Sequence, residues 1–440
     1  MITIEDLYKL YLSYPIVSTD TRKLPEGCLF FALRGANFDG NKYAGAALEA
    51  GAAYAIIDEA DQLIDERTIL VPDALQALQL LAAHHRRALG IPVIAITGTN
   101  GKTTTKELTA AVLSQSYHLL YTEGNLNNHI GVPLTLLRLT PEHQLALIEM
   151  GASKPGDIAE LCAIAQPNYG LITNIGQAHL EGFGSLEGVR RTKGELYDSV
   201  RAREGILFYH EEDEVLRQMS LGTERISYGS SPKAYVQGVA SPSTGESLFL
   251  HFSWSCPILE MSAREVQTQL VGDYNLANAL AAIAIGLYFD VPSDKIDEAL
   301  TSYCPSNSRS QLIHSERSNQ IIADAYNANP SSMRTALSNF LAIEPALRPR
   351  IVILGDMNEL GASSHEAHQE LYQKLSSTTT PPLEIYLCGP HWQEELGDQP
   401  QVYSNVEELI AHIEAHPITK SLILVKGSNS IHLGKLLPYL

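Results

Sequence analysis

The sequence is poor in cysteine, and its cysteines lie far apart. Only five of its 440 residues are cysteines, with no C-x-x-C pair and no metal-like grouping with histidines. This pattern excludes a disulfide framework and a cysteine-based zinc site as the basis of the fold. We expect reduced, buried thiols at Cys28, Cys162, Cys256, Cys304 and Cys388.

Long apolar runs and basic patches are also lacking. The start of the chain has neither the basic flank nor the apolar stretch of a signal peptide. The longest apolar segment, 276–289, is shorter than the about 20 residues that span a bilayer. With 31 Lys and Arg against 50 Asp and Glu, the formal net charge is −19. Nucleic acids and anionic membranes repel such a surface, so we expect a protein that binds neither. The lack of a signal peptide and of a membrane span predicts a cytoplasmic location.

The sequence does contain apolar material for several cores, since 45% of its residues are hydrophobic and 18% are charged. At about 100–200 residues per domain, this length suggests two to four domains. Strand-like segments alternate with helical ones, which is typical of mostly parallel sheets. We predict an α/β fold with a small first domain at 1–90, a central domain at 91–306 and a second parallel-sheet domain at 307–440. The turn-rich segment 234–270 is predicted to form an antiparallel flap on the central domain.

The most informative motif, T-G-T-N-G-K-T at 97–103, follows the apolar run 93–96. A glycine-rich turn that opens a helix presents backbone N–H groups and the positive end of the helix dipole to a phosphate. Lys102 adds charge, and Thr103 can bind Mg²⁺. Ile96 stands where the common G-x-x-x-x-G-K-[ST] pattern has its first glycine, so the loop is a variant. We predict an ATP-binding loop formed by Thr97, Gly98, Thr99, Asn100, Gly101, Lys102, Thr103 and Thr104.

Other polar residues permit both a functional and a structural interpretation. Glu149 ends a predicted strand, where its carboxylate either holds Mg²⁺ against ATP phosphates or only supports the fold. His179 follows another strand and could bind a metal or phosphate, although lone histidines are more often structural. The spacing around Lys193 favours a solvated helix residue. His365 and His368 lack the H-E-x-x-H spacing of zinc proteases and are interpreted as a helix face.

Together these residues resemble the Mur ligase family, the ATP-dependent enzymes that form amide bonds in bacterial cell-wall precursors, whose glycine loop has this T-G-T-N-G-K-T form. The resemblance covers essentially the whole chain. The segments GNLNNHIGVPLTLL at 124–137, ADAYNANPSSM at 323–333 and LGDMNELG at 354–361 are most similar to members that add D-alanyl-D-alanine to UDP-N-acetylmuramoyl-tripeptide. The resemblance implies these two small-molecule substrates, an acyl-phosphate intermediate and a Rossmann-like third domain, and we expect a monomer.

The family resemblance also implies ATP and two Mg²⁺ ions as cofactors. Lys102 and Thr103 would contact the β- and γ-phosphates and the first metal, which Glu149 would share, and His179 would belong to the region of the second metal. Lys193 would be carbamoylated. Reaction with CO₂ turns its cation into an anion that can bind Mg²⁺, which an ammonium group cannot do.

The resemblance places further residues around ATP. Asn275 and Asn278 would lie near the adenine, and Arg309, Asp324 and Asn327 would close over ATP from the third domain. The expected catalytic residues are Lys102, His179, Lys193 and Arg309.

Two segments near the start of the chain, 18–22 and 31–40, are similar to the segment of the family that binds the uridine nucleotide. Their hydroxyl and backbone groups would serve the uracil and diphosphate, and a plain surface loop is the alternative. The implied substrate residues are Ser18, Thr19, Asp20, Thr21, Arg22, Asn37, Asp39 and Gly40.

Three alternative functions stay open at this point. A sister ligase that adds the third amino acid shares the domains and the loop, but its usual Asp-Asn-Pro-Arg signature is absent here. A folylpolyglutamate synthase is disfavoured by the Ser-Thr-Asp-Thr-Arg segment. A P-loop NTPase switch or nucleotide-binding scaffold would use the same glycine loop and would ligate nothing.

Overall fold

The computed structural model describes residues 2–35, 38–178, 180–241, 248–306, 309–343, 348–378, 383–397, 399 and 401–440. Three main sheets follow one another along the chain, and each is packed against helices. The domain boundaries at 90/91 and 306/307 stay predictions. The three-domain α/β fold class itself is confirmed.

The amino-terminal sheet has four parallel strands in the order β1-β2-β5-β6, and β3 and β4 form a separate antiparallel pair. Its strands are β1 (Val17–Ser18), β2 (Leu29–Phe31), β3 (Arg34–Gly35), β4 (Phe38–Asp39), β5 (Tyr54–Ile57) and β6 (Thr68–Leu70). Its helices are α1 (Ile4–Ser13), α2 (Ala44–Glu49) and α3 (Ala74–Leu89).

The central sheet has nine strands. They are β7 (Val93–Thr97), β8 (Leu119–Tyr121), β9 (Leu145–Glu149), β10 (Tyr169–Ile172), β11 (Ile206–His210), β12 (Glu224–Gly229), β13 (Val236–Ala240), β14 (Phe249–Cys256) and β15 (Met261–Val271). The helices are α4 (Lys102–Leu113), α5 (Gly131–Leu136), α6 (Asp157–Ala165), α7 (Leu180–Phe183), α8 (Leu186–Arg201), α9 (Glu214–Met219), α10 (Leu276–Tyr288) and α11 (Ser293–Ser302).

The predicted antiparallel flap is confirmed, and it is continuous with the central sheet. The strand order is β15-β14-β13-β12-β11-β10-β7-β9-β8. All neighbours from β8 to β13 pair in parallel, and β13, β14 and β15 pair antiparallel. The flap therefore extends one edge of the sheet, and β7, which leads into the glycine loop, lies in its buried interior between β10 and β9.

The carboxy-terminal sheet has six strands in the order β16-β17-β21-β18-β19-β20, and only the edge pair β16-β17 is antiparallel. The strands are β16 (Gln311–His314), β17 (Gln320–Asp324), β18 (Arg350–Gly355), β19 (Leu383–Cys388), β20 (Val402–Tyr403) and β21 (Leu422–Lys426). The helices are α12 (Pro330–Ala342), α13 (Ser364–Ser376), α14 (Pro390–Leu396) and α15 (Val406–Ala415).

Two expectations about side chains need correction. Four cysteines are buried as expected, but Cys304 is exposed, because it lies in the connection after α11 rather than in a sheet or helix core. His368 is fully buried, and its ring packs on Trp392. Its Nε2 accepts a hydrogen bond from the N–H of Met357 at 3.1 Å, which satisfies the buried nitrogen. Only His365 of that pair lies on an exposed helix face. In the described part of the chain, no helix combines the length and the apolar character needed to cross a membrane.

Helix α3 joins the first domain to the central one. Leu78 and Leu81 of α3 belong to one apolar cluster that extends from α1 to residues of the central sheet such as Val93 and Ile148. At the end of α3, Arg86 donates hydrogen bonds to the carbonyl oxygens of Ala165 and Gln166, at 3.0 and 3.1 Å, and to Asn168 Oδ1 at 2.8 Å. The first two acceptors lie at the carboxyl end of α6, where helical carbonyls lack partners and a cation is favourable.

We predict that Arg86→Met lowers the free energy of unfolding by about 2–4 kcal/mol, because it removes a charged donor from buried acceptors. Arg87→Met is the matched control, since Arg87 is the exposed neighbour on the same helix. The measurement is the midpoint of urea unfolding, followed by circular dichroism. Equal midpoints for the two variants would contradict the assigned role of Arg86.

Candidate active site

The glycine loop connects β7 to α4 as predicted, and two of its glycines are required by close contacts. Gly98 and Gly101 have φ values of +143° and +77°, in the region that side chains rarely adopt. A Cβ atom on Gly98 would lie 2.0 Å from Thr173 Oγ1, and one on Gly101 would lie 2.6 Å from Asn278 Oδ1. Any larger residue would therefore push the loop away from β10 and α10.

The amino end of α4 is open to an anion. Gly101 is its N-cap, and no side chain caps the helix. The Nζ atom of Lys102 folds back onto the loop, where it donates to the carbonyl oxygens of Gly98 and Thr99 at 2.7 and 3.1 Å. Burial lowers the pKa of Lys102, the nearby Glu149 raises it, and Arg309 lowers it further. Phosphate oxygens would give the ammonium group of this lysine an anionic partner.

Glu149 has a carboxylate oxygen that is ready for a ligand. Its side chain is 1% exposed, and Oε1 accepts hydrogen bonds from Thr103 Oγ1 at 3.2 Å and Asn127 Nδ2 at 2.8 Å. The other oxygen, Oε2, is buried and has no hydrogen-bond partner among the described residues. A buried carboxylate oxygen without a partner is costly, and a divalent cation would satisfy it. Glu149 and the hydroxyl of Thr103 therefore fit a Mg²⁺ site.

Lys193 is buried, so the interpretation of its spacing as that of a solvated helix residue is wrong. It is 2% exposed and lies on the apolar stripe of α8, together with Val189, Leu196 and Val200. Its Nζ lies 5.6 Å from the centre of the Phe183 ring, and no described residue forms a hydrogen bond or ion pair with it. The missed signal is the helical spacing of 189, 193, 196 and 200, which places the lysine on the buried face.

The pKa of Lys193 is held well below its usual range. Burial is the main cause, and the charge of Lys102 lowers the pKa further, whereas Asp157, Glu195 and Glu149 raise it. A lysine with a depressed pKa carries a larger fraction of neutral amine at a given pH. The neutral amine is the form that can react with CO₂.

The carboxy-terminal domain brings a cationic group to the same place. The guanidinium of Arg309 stacks 3.8 Å from the centre of the Tyr326 ring, and its buried Nε has no partner among the described residues. Lys426 Nζ donates to Asp324 Oδ2 at 2.6 Å and to the carbonyl oxygen of Asn327 at 3.2 Å. Asp324 and Lys426 end the adjacent parallel strands β17 and β21, so the sheet itself places them together.

A cavity of about 990 Å³ lies among these groups, and residues of all three domains line it. The first domain contributes Leu75 at the start of α3. The predicted ATP-site and metal-site residues that line the cavity are Thr99, Asn100, Gly101, Lys102, Thr103, Thr104, Glu149, Asn275, Asn278, Arg309, Asp324 and Asn327.

Other predicted site residues do not line this cavity. Thr97 is fully buried, and its hydroxyl donates to the carbonyl oxygen of Met150 at 2.7 Å, so it supports the loop from beneath. Gly98 and Lys193 also lie outside the lining. The predictions for His179 and Asn37 concern residues outside the described ranges.

The predicted sugar-nucleotide residues form separate short turns in the first domain, away from the cavity lining. Asp20 accepts the N–H of Arg22 at 3.0 Å and pairs with its guanidinium, and Asp39 accepts the N–H of Asn41 at 3.1 Å. At Gly40 a Cβ atom would lie 2.5 Å from the carbonyl oxygen of Leu33, so the chain passes close to itself there. The remaining members are Ser18, which ends β1, and Thr19 and Thr21, which lie on either side of Asp20 in the first of these turns.

Four site residues were given no definite role from the sequence. Asn127 orients Glu149, Asn174 accepts the N–H of Asn100 at 2.9 Å, Tyr326 supports Arg309 and Lys426 pairs with Asp324. Position at the carboxyl end of a strand was the available signal for Asn174 and Lys426. Spacing alone gives no such signal for the other two.

Family models match the chain in three segments. A Mur ligase family catalytic-domain model matches residues 13–86, a Mur ligase middle-domain model matches 96–286, and a Mur ligase glutamate-ligase-domain model matches 308–429. Each segment falls in the part of the chain that builds one of the three main sheets.

Relatives match over nearly the whole length. The UDP-N-acetylmuramoyl-tripeptide–D-alanyl-D-alanine ligase of Escherichia coli K12 is 39% identical over 94% of this chain and 91% of its own length. The Bacillus subtilis 168 ligase of the same name is 33% identical over 96% and 92%.

Solved structures match as well. A crystal structure of MurF from Acinetobacter baumannii is 31% identical with a TM-score of 0.83, over 96% of this chain and 92% of that one. MurF ligase from Thermotoga maritima in complex with ADP shares the fold at 24% identity, with a TM-score of 0.83 over 97% of both chains. The chain therefore belongs to the Mur ligase family.

Proposed function

We propose that this chain is the ATP-dependent ligase that joins D-alanyl-D-alanine to UDP-N-acetylmuramoyl-tripeptide in peptidoglycan precursor synthesis. The observation that carries the proposal is the cavity in which the glycine loop of the central domain meets Arg309 and Asp324 of the third domain. The relatives that match over nearly the whole chain carry the name of this activity. A monomer is the proposed working form.

In the proposed first step, a carboxylate oxygen of the tripeptide attacks the γ-phosphorus of ATP, and ADP leaves. Lys102 and Arg309 stabilise the charge on the transferring group, and the open amino end of α4 holds the phosphates. Thr103 and Glu149 would hold Mg²⁺, which neutralises phosphate charge when bound. Asn278 lies against Gly101 and donates a hydrogen bond to Asn275 at 2.9 Å. Both residues are proposed to contact the adenosine part of ATP.

In the proposed second step, the amine of D-alanyl-D-alanine attacks the acyl carbon, loses a proton and displaces phosphate. The acyl phosphate is sensitive to water, so the cavity must close before the first step. Asp324, held by Lys426, and Asn327 are proposed to complete the closed site from the third domain. The sugar nucleotide is proposed to bind the turns of the first domain at 18–22 and 38–40.

We predict that phosphate release from ATP requires UDP-N-acetylmuramoyl-tripeptide and D-alanyl-D-alanine together. Single-substrate mixtures and UDP-N-acetylmuramoyl-dipeptide with a diamino acid are the controls, measured in a coupled phosphate assay. Turnover with the dipeptide mixture would favour the sister ligase. Release that is indifferent to all acceptors would identify a P-loop NTPase and refute the ligase.

The acyl-phosphate route predicts transfer of an oxygen atom. When the terminal carboxylate of the tripeptide is labelled with ¹⁸O, one labelled oxygen should appear in the released phosphate, because the bond from phosphorus to that oxygen survives the second step. Mass spectrometry of the phosphate measures it. Unlabelled phosphate from a reaction that forms the product would rule out this route.

We also propose that Lys193 is carbamoylated: its neutral amine adds to CO₂ and releases one proton. With ¹³C-bicarbonate we expect a carbamate NMR signal that weakens as the pH falls, because protonation removes the reactive amine. The depressed pKa extends the neutral form to lower pH than in an exposed lysine. Lys193→Gln should lose the signal and about 100-fold in kcat, because it removes the anion that would help to hold Mg²⁺ at the ATP phosphates.

Lys233→Gln is the control for the carbamate experiment, because Lys233 is an exposed lysine of the central domain. This variant should keep both the signal and the turnover. A signal that persists in Lys193→Gln would place the modification elsewhere, and full activity in that variant would remove Lys193 from the mechanism.

A further inference from the structure

The third domain contacts the glycine loop directly, through Asn100. The backbone of Asn100 is held by the central domain, since its N–H donates to Asn174 Oδ1 at 2.9 Å and its carbonyl oxygen accepts from Thr173 Oγ1 at 2.6 Å. Its side-chain amide is left to make other contacts, and both of its polar atoms bond to residues at the start of α12.

These contacts form a closed ring of three hydrogen bonds, here named the amide ring. Asn100 Nδ2 donates to Ser331 Oγ at 2.9 Å, Ser331 Oγ donates to Asn329 Oδ1 at 2.8 Å, and Asn329 Nδ2 donates to Asn100 Oδ1 at 2.7 Å. Each of the three side chains donates one hydrogen bond and accepts one within the ring. The donors that the ring leaves unused are the second amide hydrogens of Asn100 and Asn329.

The cap of α12 fixes the orientation of the ring. Asn329 is the N-cap residue, and its Oδ1 accepts the backbone N–H of Ser332 at 2.9 Å. A backbone N–H can only donate, so this atom must be the oxygen of Asn329, and the nitrogen must face Asn100. The amide of Asn100 must then present its oxygen to Asn329 and its nitrogen to Ser331.

Separation of the domains would break two bonds of the ring and leave polar groups without partners until water replaces them. Asn329 is only 3% exposed, so its amide gains most from a partner supplied by the other domain. Arg309 and Asp324 belong to the same domain as Asn329 and face the same cavity. The ring therefore fixes their position relative to the phosphate-binding loop.

We propose that Asn329 and Ser331 are positioning residues that lock the third domain onto the glycine loop when the site closes. They act through Asn100: the ring forms in the closed arrangement, holds Arg309 and Asp324 over ATP, and opens for product release. The link to catalysis rests on the proposed ligase function. The docking of the domains through the ring does not depend on that function.

Two variants break the ring and spare the cap of α12. Asn329→Ser keeps an N-cap side chain, because serine caps about as well as asparagine, but it is too short to reach Asn100. Ser331→Ala removes the hydroxyl and leaves the bond between Asn329 and Ser332. The control is Ser338→Ala, which removes one hydrogen bond of an exposed serine on α12, the one from Lys374 Nζ at 2.9 Å.

The first measurement is steady-state turnover with ATP, UDP-N-acetylmuramoyl-tripeptide and D-alanyl-D-alanine, beside thermal unfolding without ligands. We expect kcat to fall about five- to tenfold in each ring variant, because each lost hydrogen bond shifts the closure equilibrium by about that factor. The melting temperature should match that of Ser338→Ala, which should keep the turnover of the unchanged protein. Ring variants whose kcat equals that of Ser338→Ala would overturn the proposal.

The second measurement does not depend on the acceptor substrates. Small-angle X-ray scattering with Mg²⁺ and a non-hydrolysable ATP analogue should give a larger radius of gyration for both ring variants than for Ser338→Ala. Equal radii would overturn the ring as a closure contact. If the unchanged protein fails to join the two substrates, the proposed function is refuted, and the scattering comparison alone decides the role of the ring.

Discussion

Close backbone contact at the glycine loop is the constraint on which the rest of the site depends. Gly98 lies against Thr173 and Gly101 lies against Asn278, at distances that leave no room for a Cβ atom. The loop is thereby pressed between β10 and α10, and the amino end of α4 is left without a side-chain cap. The phosphate site therefore requires that these two positions carry no side chain. Neighbouring elements must supply the polar groups that surround it.

The charges of the site also depend on one another. The site brings together three cationic side chains, Lys102, Lys193 and Arg309, although the net charge of the protein is −19. The pKa values of both lysines are depressed, and a neighbouring cation causes part of each shift. Among the charged groups that act on these lysines, only carboxylates such as Glu149 oppose the effect. A nucleotide with its phosphates would relieve this repulsion, which gives the site a preference for polyanions that the overall charge of the protein does not suggest.

The fold class, the antiparallel flap and the glycine loop could be predicted because each has a local signature: alternating elements, turn-rich spacing, and a strand followed by T-G-T-N-G-K-T. Lys193 also has a local signal, its place on the apolar stripe 189, 193, 196 and 200, but its charge favours the solvated interpretation; α8 packs against β10, and this contact buries the stripe. Other features of the site depend on tertiary packing alone. The role of Asn127 beside Glu149, and the contact of Asn100 with α12, join residues distant in sequence, so neither has a pattern that could be read locally.

The apolar cluster around α3 has a consequence for how the protein unfolds. The chain has three domains when its sheets are counted, but one apolar cluster contains side chains of both the first domain and one face of the central sheet. A smaller cluster belongs to the first domain alone. The carboxy-terminal sheet is enclosed by two clusters that are mainly its own, although one of them includes Val271 of β15. Cooperativity follows shared cores rather than sheets. We therefore expect the first two domains to unfold together, and the third, whose apolar clusters share few side chains with the central domain, to be the part that can detach and return while the rest stays folded.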